Sequence, residues 1–437
     1  PTVTGCTFSD NTGHGIQVVN GSAPEIDSSS IESNGNYGLH VSGASNPVVT
    51  NSTFESNGSY GVYVATPDCA PVVTGNSFNA NNSYPVTCYA RHINNIYDNT
   101  YDGNLYQKVN VYGDHIAVDC RWRSCPVPYL INGNVTVAGT GGSPATLTID
   151  AGTVMQFNRY YHLMIGYNVD WQPGALLVNG TDDDPVIFTY NDANYPPLST
   201  GEWDGIYFDN YAVDALCRLD YAVIEYGGYD SNEGIYCNAA SPQINHSTIR
   251  NCSGAGIYCT NAASPMIISC TLQSNTQYGI YATGADTTPT ISQCVLSNQL
   301  YGVYITDSAL PVIGGTIDDA NQFVGNTLYG VYNAFTSTCP DAQYNFWGDV
   351  NGPYDSSAAS DDCVNGGNDN PAGDRVSDDV YYLNWLPLDT PTPTVTPTVT
   401  MTPTPAPVPA MGTTGLLALV LGLSGMLACR RHLGGRR

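Results

Sequence analysis

Apolar and polar positions repeat along this chain with a period of 22 to 24 residues. Prolines mark the repeat, at Pro1, Pro24, Pro47 and Pro71 and again at Pro242, Pro265, Pro289 and Pro311. Two residues after each proline stands a β-branched residue, and seven residues after it there is usually a large apolar residue. A glycine followed by alternating apolar and polar residues completes most units.

Each unit predicts three short strands, because alternation with period two is typical of strands and the Gly, Asn and Ser breaks are typical of turns. Three strands in about 23 residues make one coil of a parallel β-helix, and coils stack about 4.8 Å apart. A column such as Val3, Ile26 and Val49 then becomes a ladder of like side chains inside the solenoid. A propeller blade needs about 40 residues, so the repeat length of about 23 residues disfavours a propeller.

Asparagine is frequent ten residues after the proline, and we expect this column to form a ladder at a turn. Its members are Asn11, Asn34, Asn57, Asn81 and Asn275.

These repeats resemble those of secreted right-handed parallel β-helix proteins of bacterial surfaces. Residues 129–188, with the run LTIDAGTV, and residues 345–386, with the runs NFWG and LNWL, carry the same resemblance. The second stretch is similar to the segment that closes such arrays. The resemblance covers almost all of residues 1–388 and implies the fold, but this fold hosts lyases, hydrolases, adhesins and scaffolds alike.

The predicted organisation has six parts. They are β-helix rungs at 1–100, irregular coils at 101–230, regular rungs at 231–336, a cap at 337–388, a Thr/Pro-rich linker at 389–408 and a sorting tail at 409–437. The linker composition predicts a disordered, extended stalk, since proline favours polyproline II backbone. The chain begins inside the repeat pattern, so we expect a fragment or a processed form.

The tail predicts one transmembrane helix, because residues 415–429 are apolar and uncharged, close to the lower limit of about 17 residues for a spanning helix. Arg430 and Arg431 follow and would stay on the cytoplasmic side. With the preceding run VPAMG at 408–412, this tail resembles exosortase-type sorting signals of bacteria. The resemblance implies export, a processing protease as partner, and retention at the cell surface or release from it.

Charge narrows the classes of partner. The chain has 38 acidic and 12 basic residues, a formal net charge of −26. Nucleic acid and anionic lipid surfaces both require Lys and Arg, so neither is an expected partner. The apolar fraction of 42% is sufficient for a core.

The 14 cysteines are interpreted chiefly as buried apolar fillers. Those at inward repeat positions are Cys6, Cys88, Cys237, Cys252, Cys259, Cys270 and Cys294. Stacked neighbours among them are one coil apart and could also meet disulfide geometry. The stronger disulfide candidates are Cys120 with Cys125 and Cys339 with Cys363. No CxxC pair occurs, which disfavours zinc.

Catalytic candidates are weak. Gly13-His14-Gly15 resembles a short motif of β-helix polygalacturonases, but Gly15 occupies the repeat-glycine position and the accompanying motifs are absent.

A lyase needs a basic residue beside carboxylates; the candidates are Lys108, Arg91, Arg159, Arg218, Arg250 and Arg375. Hydrolysis needs two facing carboxylates; the paired acids are Asp182 to Asp184, Asp318-Asp319, Asp361-Asp362 and Asp378-Asp379. We predict no catalytic residue and no cofactor, with Ca²⁺ in the acidic cap as the alternative.

One recurring residue is not required by the β-helix fold. It is a tyrosine that stands two residues after the repeat glycine in several repeats. This tyrosine ladder comprises Tyr207, Tyr236, Tyr258, Tyr281, Tyr304 and Tyr332. Because the preceding residue points inward, we expect these rings to point outward and to stack on successive coils. Such a strip either stabilises the sheet or binds glycans or another partner.

We therefore predict an exported, surface-anchored or released structural or binding solenoid, adhesin-like, that contacts glycans or extracellular matrix, with polysaccharide or cell-envelope glycan as the candidate partner. A polysaccharide lyase or glycoside hydrolase acting on acidic polysaccharide is the alternative.

Overall fold

The structure is a computed structural model that describes residues 1–167, 171–191, 201–230, 233–335, 338–356, 363, 368, 370 and 372–387. These residues form a parallel β-solenoid of about 13 turns with two short 3₁₀ helices and, in the described part, no α-helix. The predicted linker and tail helix lie outside the described residues. Within the described part no helix is long and apolar enough to cross a membrane.

The first coils are built from three-residue strands. They are β1 (Thr2–Thr4), β2 (Thr7–Ser9), β3 (Ile16–Val18), β4 (Glu25–Asp27), β5 (Ser30–Glu32), β6 (Leu39–Val41), β7 (Val48–Thr50), β8 (Thr53–Glu55), β9 (Val62–Val64), β10 (Val72–Thr74) and β11 (Ser77–Asn79). Next come β12 (Val86–Tyr89), a 3₁₀ helix (Ala90–Asn95), β13 (Ile96–Tyr97), β14 (Thr100–Asp102), β15 (Val109–Ile116), β16 (Cys120–Trp122) and β17 (Tyr129–Val137).

Strands in the following coils have two to six residues. They are β18 (Ala145–Asp150), β19 (Val154–Phe157), β20 (His162–Ile165), β21 (Gly174–Asn179), β22 (Val186–Tyr190), β23 (Gly205–Phe208), a 3₁₀ helix (Asp214–Leu216), β24 (Arg218–Asp220), β25 (Ala222–Glu225), β26 (Glu233–Asn238) and β27 (Gln243–Asn245). The last are β28 (Thr248–Arg250), β29 (Ala255–Thr260), β30 (Met266–Ile268), β31 (Thr271–Gln273), β32 (Tyr278–Thr283), β33 (Thr290–Ser292), β34 (Val295–Ser297), β35 (Tyr301–Thr306), β36 (Val312–Ile313), β37 (Gln322–Val324) and β38 (Tyr329–Asn333).

Each strand of the first coils pairs in parallel with the strand three places further along the chain. The paired strands therefore form three columns. The first column is β1-β4-β7-β10-β13, the second is β2-β5-β8-β11-β14, and the third runs β3-β6-β9-β12-β15 and on to β17. The predicted ladder is present, because Val3 pairs with Ile26 and Ile26 with Val49. The parallel solenoid expected from the 23-residue repeat is thus confirmed for the described residues.

The third column divides at β17. The first part of β17 pairs with β19 and its last part pairs with β20, and two columns continue from there. A register shift between Tyr112 and Asp114 of β15 precedes the division. There Gly113 and Gly133 pack against each other, and a Cβ on Gly113 would lie 2.5 Å from the Asn134 carbonyl oxygen. The sequence indicated irregular coils in this part of the chain. The irregularity consists of this division of the third column and the register shift that precedes it.

The later coils again carry three columns. They are β16-β18-β21-β24-β27-β30-β33-β36, β19-β22-β25-β28-β31-β34-β37 and β20-β23-β26-β29-β32-β35-β38. At the C-terminal end, Trp347 is fully buried and stacks on Phe323 at 4.9 Å between ring centroids. Val331 also bridges to Val376. The described cap residues therefore cover the last coil, which protects strand edges from further pairing. The boundaries of the six predicted parts remain a prediction.

The asparagine column forms a buried hydrogen-bonded ladder. The Nδ2 of Asn34 donates to Oδ1 of Asn57 at 3.0 Å, and the Nδ2 of Asn57 donates to Oδ1 of Asn81 at 3.0 Å. Asn81 donates to Asn104 at 2.8 Å in the same way. The predicted ladder is confirmed on the early coils, where Asn104 extends it by one coil, whereas Asn275 on a later coil donates to Gln299.

Most predicted cysteine fillers are buried, with Cys88, Cys237, Cys252, Cys259, Cys270 and Cys294 all in the core. Cys6 is the exception: it lies on the first coil and is exposed. The predicted disulfide between Cys339 and Cys363 is present. The pairing of Cys120 with Cys125 is wrong, since both are free thiols. Cys120 instead lies in β16, where its side chain fills the core as the other inward cysteines do.

Asn57→Ala should lower the free energy of unfolding by about 3 kcal/mol, because a lost buried partner costs about 1–3 kcal/mol for each unpaired group. The variant removes the acceptor of two Asn34 donors and the donor to the Ile31 carbonyl, while Asn81 Oδ1 keeps the bond from the Asn57 backbone amide. Urea unfolding followed by circular dichroism measures the change. Asn79→Ala is the matched control, since that side chain faces outward on the neighbouring coil and accepts a bond only from Ser77 Oγ. Equal effects in both variants would contradict a special role for the ladder.

Candidate functional site

The tyrosine ladder occupies one outward column of the later coils. Strand register pairs each member with the next, in the order Tyr207, Tyr236, Tyr258, Tyr281, Tyr304, Tyr332. The residues on either side of Tyr258, Ile257 and Cys259, are fully buried, whereas Tyr258 is half-buried. The alternation therefore turns the rings outward, and they form a continuous row over six coils.

Ring orientation along the ladder is mixed. Neighbouring centroids lie 4.8 to 5.7 Å apart. Tyr258 and Tyr281 are nearly parallel, at 21°, as are Tyr304 and Tyr332, at 14°. Parallel rings cover each other's faces, so these pairs present ring edges and hydroxyl groups to solvent. The edge-to-face contact between Tyr281 and Tyr304, at 77°, interrupts that arrangement.

A second tyrosine column runs beside the last three members of the ladder. Tyr278 pairs with Tyr301, and Tyr301 pairs with Tyr329. Within a coil, Tyr301 lies 4.9 Å from Tyr304 between ring centroids, and Tyr329 lies 4.8 Å from Tyr332. Six rings thus form a block two wide and three coils high. The sequence analysis did not single out this column, although its signal is visible as a tyrosine directly before the repeat glycine.

A comparable feature lies on the early coils, the N-terminal aromatic strip. Its members are His14, Tyr37, Tyr60, Tyr84 and Tyr106, with consecutive centroids 4.7 to 6.2 Å apart. His14 stacks on both Tyr37 and His40. Burial lowers the pKa of His14 and of His40, so both imidazoles are neutral at pH 7. His14 therefore continues an aromatic column, as the repeat position of Gly15 indicated.

Burial acts on the hydroxyl groups of three ladder members, Tyr236, Tyr258 and Tyr304. Burial raises the pKa of Tyr258 to about 12, and the neighbouring Tyr281 adds to the shift. Burial likewise raises the pKa of Tyr236 and of Tyr304. Each of these phenols can therefore donate as well as accept a hydrogen bond.

Two acids and a histidine lie on the first coils of the ladder. Asp204 and Glu233 each stand two residues before a paired residue, Ile206 and Ile235, so they are neighbours one coil apart. The Asp204 Oδ2 lies 3.7 Å from Nδ1 of His162. Sequence reasoning missed this group. The available signal was that acids replace, on these two coils, the tyrosines that precede the glycine further along.

Arginines proposed as lyase bases are engaged in ion pairs or ring contacts. Arg91 pairs with Asp114, Arg159 with Glu202, Arg218 with Asp220 and Arg250 with Glu225, while Arg375 lies over Tyr329. The single lysine, Lys108, donates to Asn191.

The paired acids include one run at the surface and one pair outside the described residues. Asp182, Asp183 and Asp184 lie in an exposed turn, as the sequence indicated. Asp361 and Asp362 lie outside the described residues. Over the described ranges, no group of three or more His, Cys, Asp or Glu side chains could hold a metal ion. The Ca²⁺ alternative for the cap stays a prediction.

Comparison with known proteins defines the class. The family described as right handed beta helix region matches residues 1–122 and 174–346, and the chain belongs to this family. No curated protein and no solved structure matches the chain. The family establishes the hand and the type of solenoid, and its members are often carbohydrate-related.

The raised phenol pKa values predict a loss of stability at high pH. Tyr258 ionises near pH 10 when unfolded and at about 12 when folded, so between these values the unfolded state binds fewer protons. Its contribution is complete below pH 10 and disappears as pH rises through 12. We expect the urea midpoint to fall over this range, and to fall less steeply in Tyr258→Phe. An identical pH slope in both proteins would contradict this assignment.

Proposed function

We propose that the protein is a non-catalytic binding solenoid whose tyrosine ladder holds a neutral glycan chain lengthwise. The observation that carries this proposal is the row of outward tyrosines in register over six coils. A ligand that advances by one unit per coil can repeat the same contact along the row. A polysaccharide has that repeating character.

Hydrogen bonding supports a sugar ligand. The ladder presents hydroxyl groups that both donate and accept, beside aromatic edges and the faces left open at edge-to-face pairs. Sugars combine hydroxyl groups with apolar ring faces, and aromatic side chains with a polar tip suit such surfaces. Structural stacking of the sheet explains part of the ladder. The second tyrosine column widens the same surface to two rings, which sheet stability alone does not require.

Charge argues for a neutral rather than an acidic glycan. The net charge of −26 repels polyanions at low salt. Near the ladder, the carboxylates of Glu233 and Asp209 contribute to the raised pKa of Tyr236. Nucleic acid is excluded as a proposed partner on the same ground.

We propose an exported protein at the bacterial cell surface or outside the cell, with envelope glycan as ligand and a sorting protease as the partner of the tail. The resemblance of the tail to sorting signals supports this location. The disulfide between Cys339 and Cys363 supports it as well, because disulfides persist in oxidising compartments.

Glycoside hydrolysis is the second candidate, and one observation favours it. Asp204 and Glu233 occupy equivalent register positions on adjacent coils, Asp204 lies beside His162, and hydrolases use two carboxylates at a glycosidic bond. However, the two residues are only 8% and 7% exposed, and Asp204 accepts a hydrogen bond from the Asp230 amide. Such burial suits a structural role better than contact with a polymer.

The test is incubation of the protein with a panel of neutral and acidic polysaccharides, followed by size exclusion and by affinity measurement. We expect intact neutral chains that co-elute with the protein. Replacing Tyr281 and Tyr304 together with Ala should weaken binding about tenfold, or about 1.4 kcal/mol, as for paired binding hot spots. Replacing both with Phe separates the hydroxyl contribution from that of the ring.

Tyr97→Ala is the matched control, because Tyr97 is a half-buried tyrosine in β13 of another column. Its loss should leave affinity unchanged. Shortened polysaccharide chains would overturn the binding proposal in favour of hydrolysis, and Asp204→Asn or Glu233→Gln should then abolish cleavage. Intact chains without co-elution would leave neither candidate standing.

A further inference from the structure

Two polar residues interrupt the outward column of Tyr63 on the early coils. Tyr63 of β9 pairs with Thr87 of β12, and Thr87 pairs with Asn110 of β15. Thr87 and Asn110 face outward, because the residues on either side of them in the strands are fully buried. Those neighbours are Val86, Cys88, Val109 and Val111. The column therefore continues as a hydroxyl group and a carboxamide on the next two coils.

Tyrosine rings flank both polar residues along the strands. On one side the rings of Tyr84 and Tyr106 lie 4.7 Å apart between centroids, and on the other side Tyr89 pairs with Tyr112 at 5.5 Å. We call this site the polar recess, with the two polar residues as its base and these four rings as its walls. Binding sites for small molecules commonly combine such apolar walls with a few polar groups.

The base of the polar recess has an acceptor without a donor. Asn110 is 3% exposed, and in the described part of the chain its Oδ1 has no hydrogen-bond partner. Its Nδ2 lies 3.5 Å from Oγ1 of Thr87, at the limit of a hydrogen bond. Buried carbonyl groups in folded proteins are nearly always paired, because an unpaired one has lost its bond to water. A hydroxyl group from a ligand would complete the bonding of this carboxamide.

Tyr112 covers the polar recess. Burial raises the pKa of Tyr112, and the phenol of Tyr63, two coils earlier, adds to the shift. The two phenols are therefore close together, so the Tyr112 ring leans across the intervening coil and over Thr87, which is fully buried. Tyr112 is itself only half-buried, so its ring can turn outward while the strands stay in place.

We propose that the polar recess binds one sugar unit of a neutral glycan, with a sugar hydroxyl group donating to Oδ1 of Asn110. This inference rests on the proposed function and adds a second binding site, on the early coils, to the tyrosine ladder of the later ones. The Tyr112 ring turns outward, and the sugar takes its place over Thr87. The sugar then has apolar contacts with Tyr84 and Tyr89 and a polar contact at the base, a combination that suits a hydroxylated ring.

Asn110→Leu distinguishes a binding role of this amide from a folding role. Leu130 occupies the paired position on the next coil and is 2% exposed, so this column accommodates a leucine. Because the variant removes an unpaired acceptor, we expect a urea midpoint no lower than that of the wild type. An amide needed for folding would lower the midpoint instead. Asn79→Leu, on the outward face of β11 in another column, is the matched control.

Isothermal titration calorimetry of the full chain with cellohexaose, mannohexaose and N-acetylchitohexaose measures binding. We expect at least one of these neutral probes to bind at two sites per chain. In Asn110→Leu one site should weaken about tenfold, as the loss of a hydrogen bond to a buried amide implies, whereas Asn79→Leu should retain both. Replacing Tyr281 and Tyr304 together with Ala should weaken the other site.

Tyr112→Phe is a second variant with the opposite expected sign. It removes the phenol beside Tyr63 that holds the ring over Thr87, so the polar recess should open more readily and bind its probe more tightly. Equal affinities of Asn110→Leu, Tyr112→Phe and the wild type would overturn the recess as a binding site. Binding that only the paired ladder substitutions weaken would leave the ladder as the single site. A wild-type chain that binds none of the three probes would overturn the proposed function together with this inference.

Discussion

The structure depends on one constraint: each coil must place its residues directly over those of the coil before. In a parallel ladder the backbone amides of one coil donate to the carbonyls of the next. Each side chain therefore lies about 4.8 Å from the side chain at the equivalent position of the next coil. Inward positions become apolar ladders such as Val3, Ile26 and Val49. Asparagine at the turn is tolerated in the core only because its neighbours supply both bonding partners.

This constraint explains what the sequence could predict. A property that every coil shares recurs at the same repeat position in the sequence. The strands, the asparagine ladder and the direction of the tyrosines can therefore be predicted from periodicity. The buried cysteines follow from the same columns. Cys6 departs from them, since it lies on the first coil and is exposed.

Features that occur once were not predictable. The division of the third column at β17 depends on a close approach of Gly113 and Gly133, two glycines without a repeat position. Cys120 and Cys125 are near in sequence, yet Cys120 is held in β16 by pairing with β18, which commits it to the core instead of a disulfide. Asp204 and Glu233 became neighbours only through strand register, because 29 residues rather than 23 separate them.

Stacking also limits what the ladder can do. A ring that lies parallel to its neighbour uses its faces for the sheet and leaves an edge and a hydroxyl for a ligand, whereas an edge-to-face pair leaves part of one face open. The ladder contains both kinds of pair, as Tyr258 with Tyr281 and Tyr281 with Tyr304 show. A glycan on this surface would therefore meet hydroxyl groups at every coil and ring faces only at some. Affinity from such a surface grows with the number of coils engaged, so the length of the solenoid, rather than any single pocket, would set how strongly it binds.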